Sequence, residues 1–192
     1  MFSPILNRFF NLFILFTLLA GTQIVIPASA SPVSISEKPA ASSLLAQSTM
    51  GNTTRISIAF DGTQANNSSG YPSISADGIY AAFYSSASNL VVGDTNNKND
   101  IFVRNQETNA ITRVSVASDG SQANDSSGNP SISADGRYVA FSSSASNLVP
   151  GDTNGYSDIF FHDLATGTTA RISVTSDGSQ ANRSSAYPFI SA

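Results

Sequence analysis

Beyond residue 54 the chain is written in short runs where large apolar residues alternate with small or polar ones, each run bounded by Gly, Pro, Asn or Asp. Tyr138, Ala140 and Ser142 alternate with Val139 and Phe141, the period-two pattern of a strand that shows a different face to each side. The pattern predicts four strands in a unit: Ser131 to Ser133, Arg137 to Ser142, Asp158 to His162, and Ala170 to Val174, whose counterpart one unit earlier is Thr112 to Val116. Asp77-Gly78 and Asp135-Gly136 join the first two strands, and Thr166-Gly167 joins the last two. Glycine supplies the positive φ of a tight hairpin, so these dipeptides read as turns and the aspartates as turn residues. No stretch after residue 50 carries a helical period.

The unit recurs. Arg55, Arg113 and Arg171 are separated by 113 − 55 = 58 and 171 − 113 = 58 residues, and almost everything between them repeats in register. The first copy holds "YPSISADGIYAAFYSSASNLVVGDTNNKNDIFV" and the second "NPSISADGRYVAFSSSASNLVPGDTNGYSDIFF". Copies begin near 54, 112 and 170, and the third reaches only Ala192. Four strands repeated along a chain are the pattern of β-propeller blades, each covering an apolar face of the next. The expected fold is therefore all-β: two complete four-stranded antiparallel blades with flanking strands, a partial propeller across residues 54–192. A closed propeller takes about four to eight blades. Three arrangements account for the smaller number here: further blades on a longer chain, closure by several copies, or an open stack of blades.

"PSISADGRYVAFSS", then "DIFV" or "DIFF", then "TRVSV" or "ARISV", resembles the TolB-like, WD-repeat-like propeller motif. Two positions depart from that pattern. Ile74, Ile132 and Ile190 stand where the motif has an aromatic, and Ala76 and Ala134 where its turn has Pro. The resemblance implies a propeller fold and leaves function open, because propellers serve unrelated roles.

The N-terminus is of another kind. Arg8 precedes an apolar run from Phe9 to Ala20, followed by Ala28-Ser29-Ala30. This is the order of a secretory signal peptide over residues 1–30, and the run is shorter than the roughly 20 residues that span a bilayer. Cleavage after Ala30 leaves no membrane anchor and a periplasmic or extracellular product. Residues 31–53, rich in Ser, Ala, Pro and Gln, read as a flexible linker.

Composition narrows the chemistry. Charged residues are only 11% of the chain, with 9 basic against 13 acidic, a formal net charge of −4. Loss of Arg8 with the leader gives 8 − 13 = −5. A mildly acidic surface does not suit nucleic acid. With no cysteine there is no disulfide, thiolate metal site or cysteine nucleophile.

The second-to-third and fourth-to-first connections are long, and antiparallel reversal places both at one end of each blade. They are Ser143 to Ser157, and Thr175 to Tyr187 with its equivalent Ala117 to Asn129. Insertions repeated in every unit mark a binding face. This one is lined by Asp, Asn, Ser, Thr and Gln, which suits a protein or glycan partner. Within it Asp152, Asn154 and Asp158, repeated as Asp94, Asn96 and Asp100, have the alternating oxygen pattern of a calcium loop. "GDTNGYSDIF" resembles the calcium loops of integrin-type propellers, two residues shorter and without the middle Asp. Lys98 stands at that position in the first copy and opposes a cation. Otherwise Asp100 and Asp158 are expected to hold backbone amides where the third strand begins. Leu90-Val91 and Leu148-Val149 are expected to pin the loop to the blade.

Nearly every carboxylate is repeated by the same shift, which favours a structural cause over catalysis. The main exception is His162-Asp163, where the first copy has Arg104-Asn105; His162 is expected to be exposed or hydrogen-bonded. The expected role is a non-catalytic binding module. The enzyme alternative is a fragment of a sialidase- or glycosidase-like propeller hydrolase, whose Asp box the chain does not meet. Arg55, Arg113 and Arg171 are expected on outer strands, bracing neighbouring blades.

Overall fold

A computed structural model describes residues 52–191, so the export signal and nearly all of the expected linker lie outside the described residues. Eight strands follow in order: β1 (Ser69–Ile74), β2 (Tyr80–Ser85), β3 (Asp100–Asn105), β4 (Ile111–Arg113), β5 (Ser127–Ile132), β6 (Tyr138–Ser143), β7 (Asp158–Asp163) and β8 (Thr168–Arg171). They form two four-stranded sheets, β1-β2-β3-β4 and β5-β6-β7-β8, antiparallel throughout. Each is a meander in which every strand pairs with its sequence neighbour, the expected propeller blade.

The strands differ from expectation at both edges of the blade. The first strand of the unit begins earlier, at Ser127, because a bulge between Gly128 and Ser131 carries the ladder past Pro130. A bulge lets the chain pass a residue that has no N–H to donate. The residue before the proline takes positive φ in every copy, at Tyr71, Asn129 and Tyr187. The last strand ends at Arg171 instead of Val174. Beyond it the chain curls inward: Ile172 N still donates to Ile159 O at 2.8 Å, and Val174 then bridges Gln180.

Pairing register assigns the faces. Ala82, Ile101 and Val103 share one face of the first blade, and Val139, Phe141 and Phe160 share the facing side of the second. These six residues meet in the main core, joined by Val114, Ala123, Ile132 and Leu148, all at most 5% exposed. Val114 and Ala123 come from the segment between the blades, which crosses over Phe141 and Phe160. The other face of the first blade holds a smaller cluster of Phe83, Phe102, Ala87 and Leu90, packed by Ile56 and Ala65. Ile56 is equivalent to Val114, so each crossing segment caps the aromatic pair of the sheet it enters. Direct bonds lock the blades: Ile132 N to Ser73 Oγ at 3.1 Å, Ala76 N to Ala134 O at 3.0 Å, and Ser127 N to Asn99 O at 2.7 Å.

The Asp-Gly hairpins form as expected, with Asp77 Oδ1 accepting from Ser75 Oγ at 2.6 Å and from Ile79 N at 2.9 Å. Gly78 and Gly136 both have positive φ, but a Cβ on Gly78 would meet nothing within 4 Å while one on Gly136 would lie 2.2 Å from Tyr80 Cδ2. Gly78→Ala is expected to lose about 1 kcal/mol from backbone strain, and Gly136→Ala roughly 2–4 kcal/mol once overpacking is added. Urea unfolding of the two variants measures the difference. Equal losses would mean that Tyr80 moves aside freely.

Candidate functional site

The long loops at one end of each blade are joined to each other through side-chain amides. Asn66 N donates to Asn89 Oδ1 at 2.9 Å and Asn89 Nδ2 to Gln64 O at 2.8 Å. One unit later Asn124 N donates to Asn147 Oδ1 at 2.9 Å and Asn147 Nδ2 to Gln122 O at 2.8 Å. Leu90 and Leu148, each 2% exposed, pin the loops to the blades as the sequence implied. Asparagine repeats in these loops therefore close the loops themselves, which removes much of their polar capacity from ligands.

Deeper in each blade lies the expected calcium constellation, and the structure brings all six residues together in two equivalent clusters. In the second, Arg171 Nη1 stands 3.2 Å from Asp152 Oδ1 and 3.6 Å from Asp158 Oδ2. Asn154 turns its amide nitrogen, a donor, toward Asp158 Oδ2 at 2.9 Å, and Ser173 Oγ donates to Asp158 Oδ1 at 2.6 Å. In the first, Arg113 Nη1 stands 3.1 Å from Asp94 and 3.7 Å from Asp100. Asn96 Nδ2 and Ser115 Oγ donate to Asp100 at 2.9 and 2.5 Å. The oxygens that a calcium ion would need thus face an arginine and an amide donor.

This differs from the sequence reading in three respects. Asp100 and Asp158 accept from side chains rather than from the first amides of the third strand. Those amides go instead to Ser115 and Ser173, with Ile101 N to Ser115 Oγ at 3.1 Å and Ile159 N to Ser173 Oγ at 3.0 Å. The arginines Arg113 and Arg171 reach into their own blades rather than across to a neighbour. They also bond a residue that sequence reasoning passed over: Gln122 Oε1 accepts from Arg113 Nη1 at 2.9 Å, and Gln180 Oε1 from Arg171 Nη1 at 3.1 Å. Each glutamine fixes the loop through its amide as well, Gln180 Nε2 donating to Gly151 O at 2.8 Å. Its signal was present, since Gln64, Gln122 and Gln180 each follow the repeated arginine by nine positions. Arg55 likewise bonds Gln64.

Burial pushes the Asp94, Asp100 and Asp152 carboxyls up from the ordinary range, and the nearby arginines pull against it. Arg113 Nε and Arg171 Nε are buried without a partner, a desolvation penalty that the aspartates offset. Millimolar calcium is expected to leave the thermal melting midpoint of the protein unchanged, because a cation would have to displace the guanidinium. A clear upward shift in differential scanning fluorimetry would show the clusters to be ion sites.

His162 is buried at 4% exposure, its Nδ1 2.9 Å from Thr169 Oγ1, and Thr169 Oγ1 donates in turn to Val116 O at 2.5 Å. Burial lowers its pKa from 6.5, against the opposing pull of Asp163. The neighbouring Asp163 carboxyl is held well below the usual range by Arg137, which it meets at 2.7 and 3.0 Å. The unfolded chain takes up a proton on this histidine near pH 6.5 that the folded chain refuses, so stability falls as pH drops below that value. Urea melts between about pH 7 and pH 5 are expected to show this slope, and His162→Gln to flatten it. An unchanged slope in the variant would assign it elsewhere.

Two grooves open beside the loops, related by the repeat. One of about 360 Å³ runs past Ala59, Phe60, Asp61, Val91, Val92 and Ile111. Its counterpart of about 480 Å³ runs past Ala117, Ser118, Asp119, Val149, Pro150 and Thr169. The first is apolar and open, with Phe60 73% and Val92 fully exposed. The second is more polar than the first and partly stitched, since Thr169 N donates to Ser118 Oγ at 2.9 Å.

Two stacked four-stranded meanders of equal register define a run of β-propeller blades. No protein-family model matches the chain, and neither does any curated protein. Among solved structures it is similar to TolB from Acinetobacter baumannii, with 21% identity over 58% of this chain and 22% of that one, at a TM-score of 0.37. A TolB-type protein from Agrobacterium tumefaciens gives 18% identity over 57% and 32%, at 0.40. The β-propeller domain of the Trilobed protease from Pyrococcus furiosus, described as having an open velcro topology, gives 19% over 55% and 27%, at 0.36. The chain thus spans no more than a third of any of these three, and its resemblance to TolB-type propellers is one of fold.

Proposed function

We propose that the protein is an exported, non-catalytic interaction module that holds a protein partner on the loop end of its blades. The observation that carries this reading is the open groove of the first blade. There Phe60 and Val92 stand out beside Asp61, while the loops behind them are fixed by repeated hydrogen bonds. A rigid rim around exposed apolar side chains is the make-up of a protein-binding patch. The acidic neighbour Asp61 and the negative chain favour a partner that brings an apolar anchor flanked by basic residues. Export rests on the leader pattern and places this encounter in the periplasm or outside the cell.

The non-catalytic reading is supported by where the acids stand. Asp94, Asp100, Asp152 and Asp158 face arginine, Asp77 and Asp135 close turns, and Asp163 pairs with Arg137. Among the described residues no three His, Cys, Asp or Glu gather as a metal-binding group. A glycan partner would favour the second groove, the more polar of the two.

The repeat supplies the test. Phe60→Ser installs the second copy's own residue, Ser118, at the equivalent position and is compatible with the blade. A photo-crosslinking residue at position 60 in the exported protein is expected to capture one defined partner, and the purified partner to bind the native chain and not the Phe60→Ser variant. Equal binding by both would overturn this reading. Turnover of glycoside or ester substrates, lost in an Asp→Asn variant, would favour the hydrolase alternative.

A further inference from the structure

A single serine seals the outer edge of the second blade. Thr169 N donates to Ser118 Oγ at 2.9 Å, and the same hydroxyl donates to Thr169 O at 3.3 Å. Ser118 thus fills both main-chain positions that an added strand would fill on β8. The first blade has Phe60 where Ser118 stands and Ile111 where Thr169 stands, each 58 positions earlier. On β4, Ala110 O accepts from Asn105 N at 2.9 Å and Val114 N donates to Ile101 O at 2.8 Å. Alternation along the strand therefore turns the N–H and C=O of Ile111 away from β3. A phenylalanine ring can bond neither, and among the described residues no group accepts from Ile111 N or donates to Ile111 O.

The hairpin that carries Phe60 stays in place without the serine. In the second copy Thr169 Oγ1 helps to hold it, donating to Val116 O at 2.5 Å. In the first, Arg104 Nη1 donates to the equivalent Ile58 O at 2.8 Å, and Arg104 Nη2 to Asn109 Oδ1 at 2.7 Å. Arg104 stands where the second copy has His162, so three repeat positions differ together and leave an edge that is anchored yet unsealed. Nor does a neighbouring blade cover this place. The second blade has the first sheet against it, and no residue of that sheet lines the equivalent groove, where Ser118 and Pro150 remain exposed.

We propose that the partner enters the first groove as an extended segment and adds a fifth strand along β4, its main chain bonding Ile111 and an apolar side chain lying against Phe60 and Val92. This rests on the reading of that groove as the docking surface and specifies how it is filled. Strand addition draws affinity from main-chain bonds and specificity from alternate side chains. Proteins ordinarily blunt an edge that invites it, as Ser118 does on β8. Charge sets the rest of the partner's chemistry. Asp61 lines the groove, and the Thr63 amide 2.9 Å away holds its carboxyl below the usual range, so it is ionised at neutral pH and favours a basic residue beside the apolar one.

The probe is an acetylated, amidated peptide, Lys-Thr-Ile-Thr-Val-Thr-Lys, with two derivatives N-methylated on opposite sets of alternate residues. Added to the full chain, the parent peptide is expected to slow hydrogen exchange at the Ile111 amide, read by NMR. The derivative whose missing N–H groups face β4 should bind about tenfold more weakly or worse, and the other should bind like the parent. Phe60→Ser offers Ile111 the hydroxyl that Thr169 already has and should abolish binding. Phe60→Ala leaves the edge unsealed and should keep the Ile111 protection at saturating peptide. No binding at millimolar peptide, or equal losses from the two methylated derivatives, would overturn the proposal. So would an Ile111 amide protected before any peptide is added, as residues 31–51 or a second copy on the edge would make it. A partner captured at position 60 that leaves Ile111 unprotected would overturn strand addition while the docking surface stands.

Discussion

Replacing Asp158 with Ala is expected to lower the stability of the protein by about 3–5 kcal/mol, the range for removing one member of a buried ion pair. Asp158 is fully buried, and three donors converge on it: Ser173 Oγ, Asn154 Nδ2 and, at longer range, Arg171 Nη1. Its loss strands an arginine that is 9% exposed and already carries one unsatisfied donor, with Asp152 as the remaining counter-charge. It also frees Ser173, which orders the Ile159 amide near the start of β7. The melting midpoint should fall by on the order of 10–20 °C. Asp135→Ala, on an exposed hairpin with bonds to Ser133 and Arg137, should move it far less. A similar small change for both would show that the arginine cluster carries little of the blade's stability. Asp100→Ala tests the equivalent cluster of the first blade, and the two losses should be alike, since their partners are the same.

The second large effect is expected at Phe141. Phe141→Ala should cost about 3–5 kcal/mol, the range for truncating a buried aromatic in a core that cannot collapse around the gap. Phe141 is fully buried and stacks on Phe160 at a centroid distance of 6.0 Å. It also meets the first blade's Ala82, Ile101 and Val103 and the crossing residues Val114 and Ala123. Truncation therefore loosens the joint between blades as well as the second sheet. Phe83 is the equivalent residue, stacked on Phe102 at the same 6.0 Å, but in the smaller cluster. Phe83→Ala should cost less, and urea unfolding of the pair measures how much stability the joint adds. Equal losses would mean that each blade holds its aromatic pair independently of its neighbour.

The blade architecture was legible because period two, Asp-Gly turns and a fixed recurrence all agreed. Strand order, hairpins and the buried leucine pegs followed from residues that act within a few positions of themselves. The start of β5 did not, since Pro130 reads as a strand boundary and only a bulge, set by the positive φ of Asn129, carries pairing across it. The candidate site was legible as a grouping and not as a chemistry. Asp152, Asn154 and Asp158 do converge, but alternating oxygens look alike whether they surround a cation or a guanidinium. The group that stands beside these oxygens in the structure is Arg171, thirteen residues beyond Asp158 and brought back by the β7-β8 hairpin. Pairing of that kind depends on strand register, which local spacing does not report. The unlike grooves came from the same limit: Phe60 and Ser118 occupy one repeat position, and only the packed blades reveal that Thr169 closes over Ser118 while Ile111 leaves Phe60 open.

The bonds between blades fall at the same positions in each unit, with Ser73 and Ser131 receiving the next copy's isoleucine amide in turn. Unequal recombination within the coding sequence that added or removed 58 codons would therefore present every junction with a partner it already fits. Such a lineage would lengthen or shorten its array in single steps that keep these junction bonds.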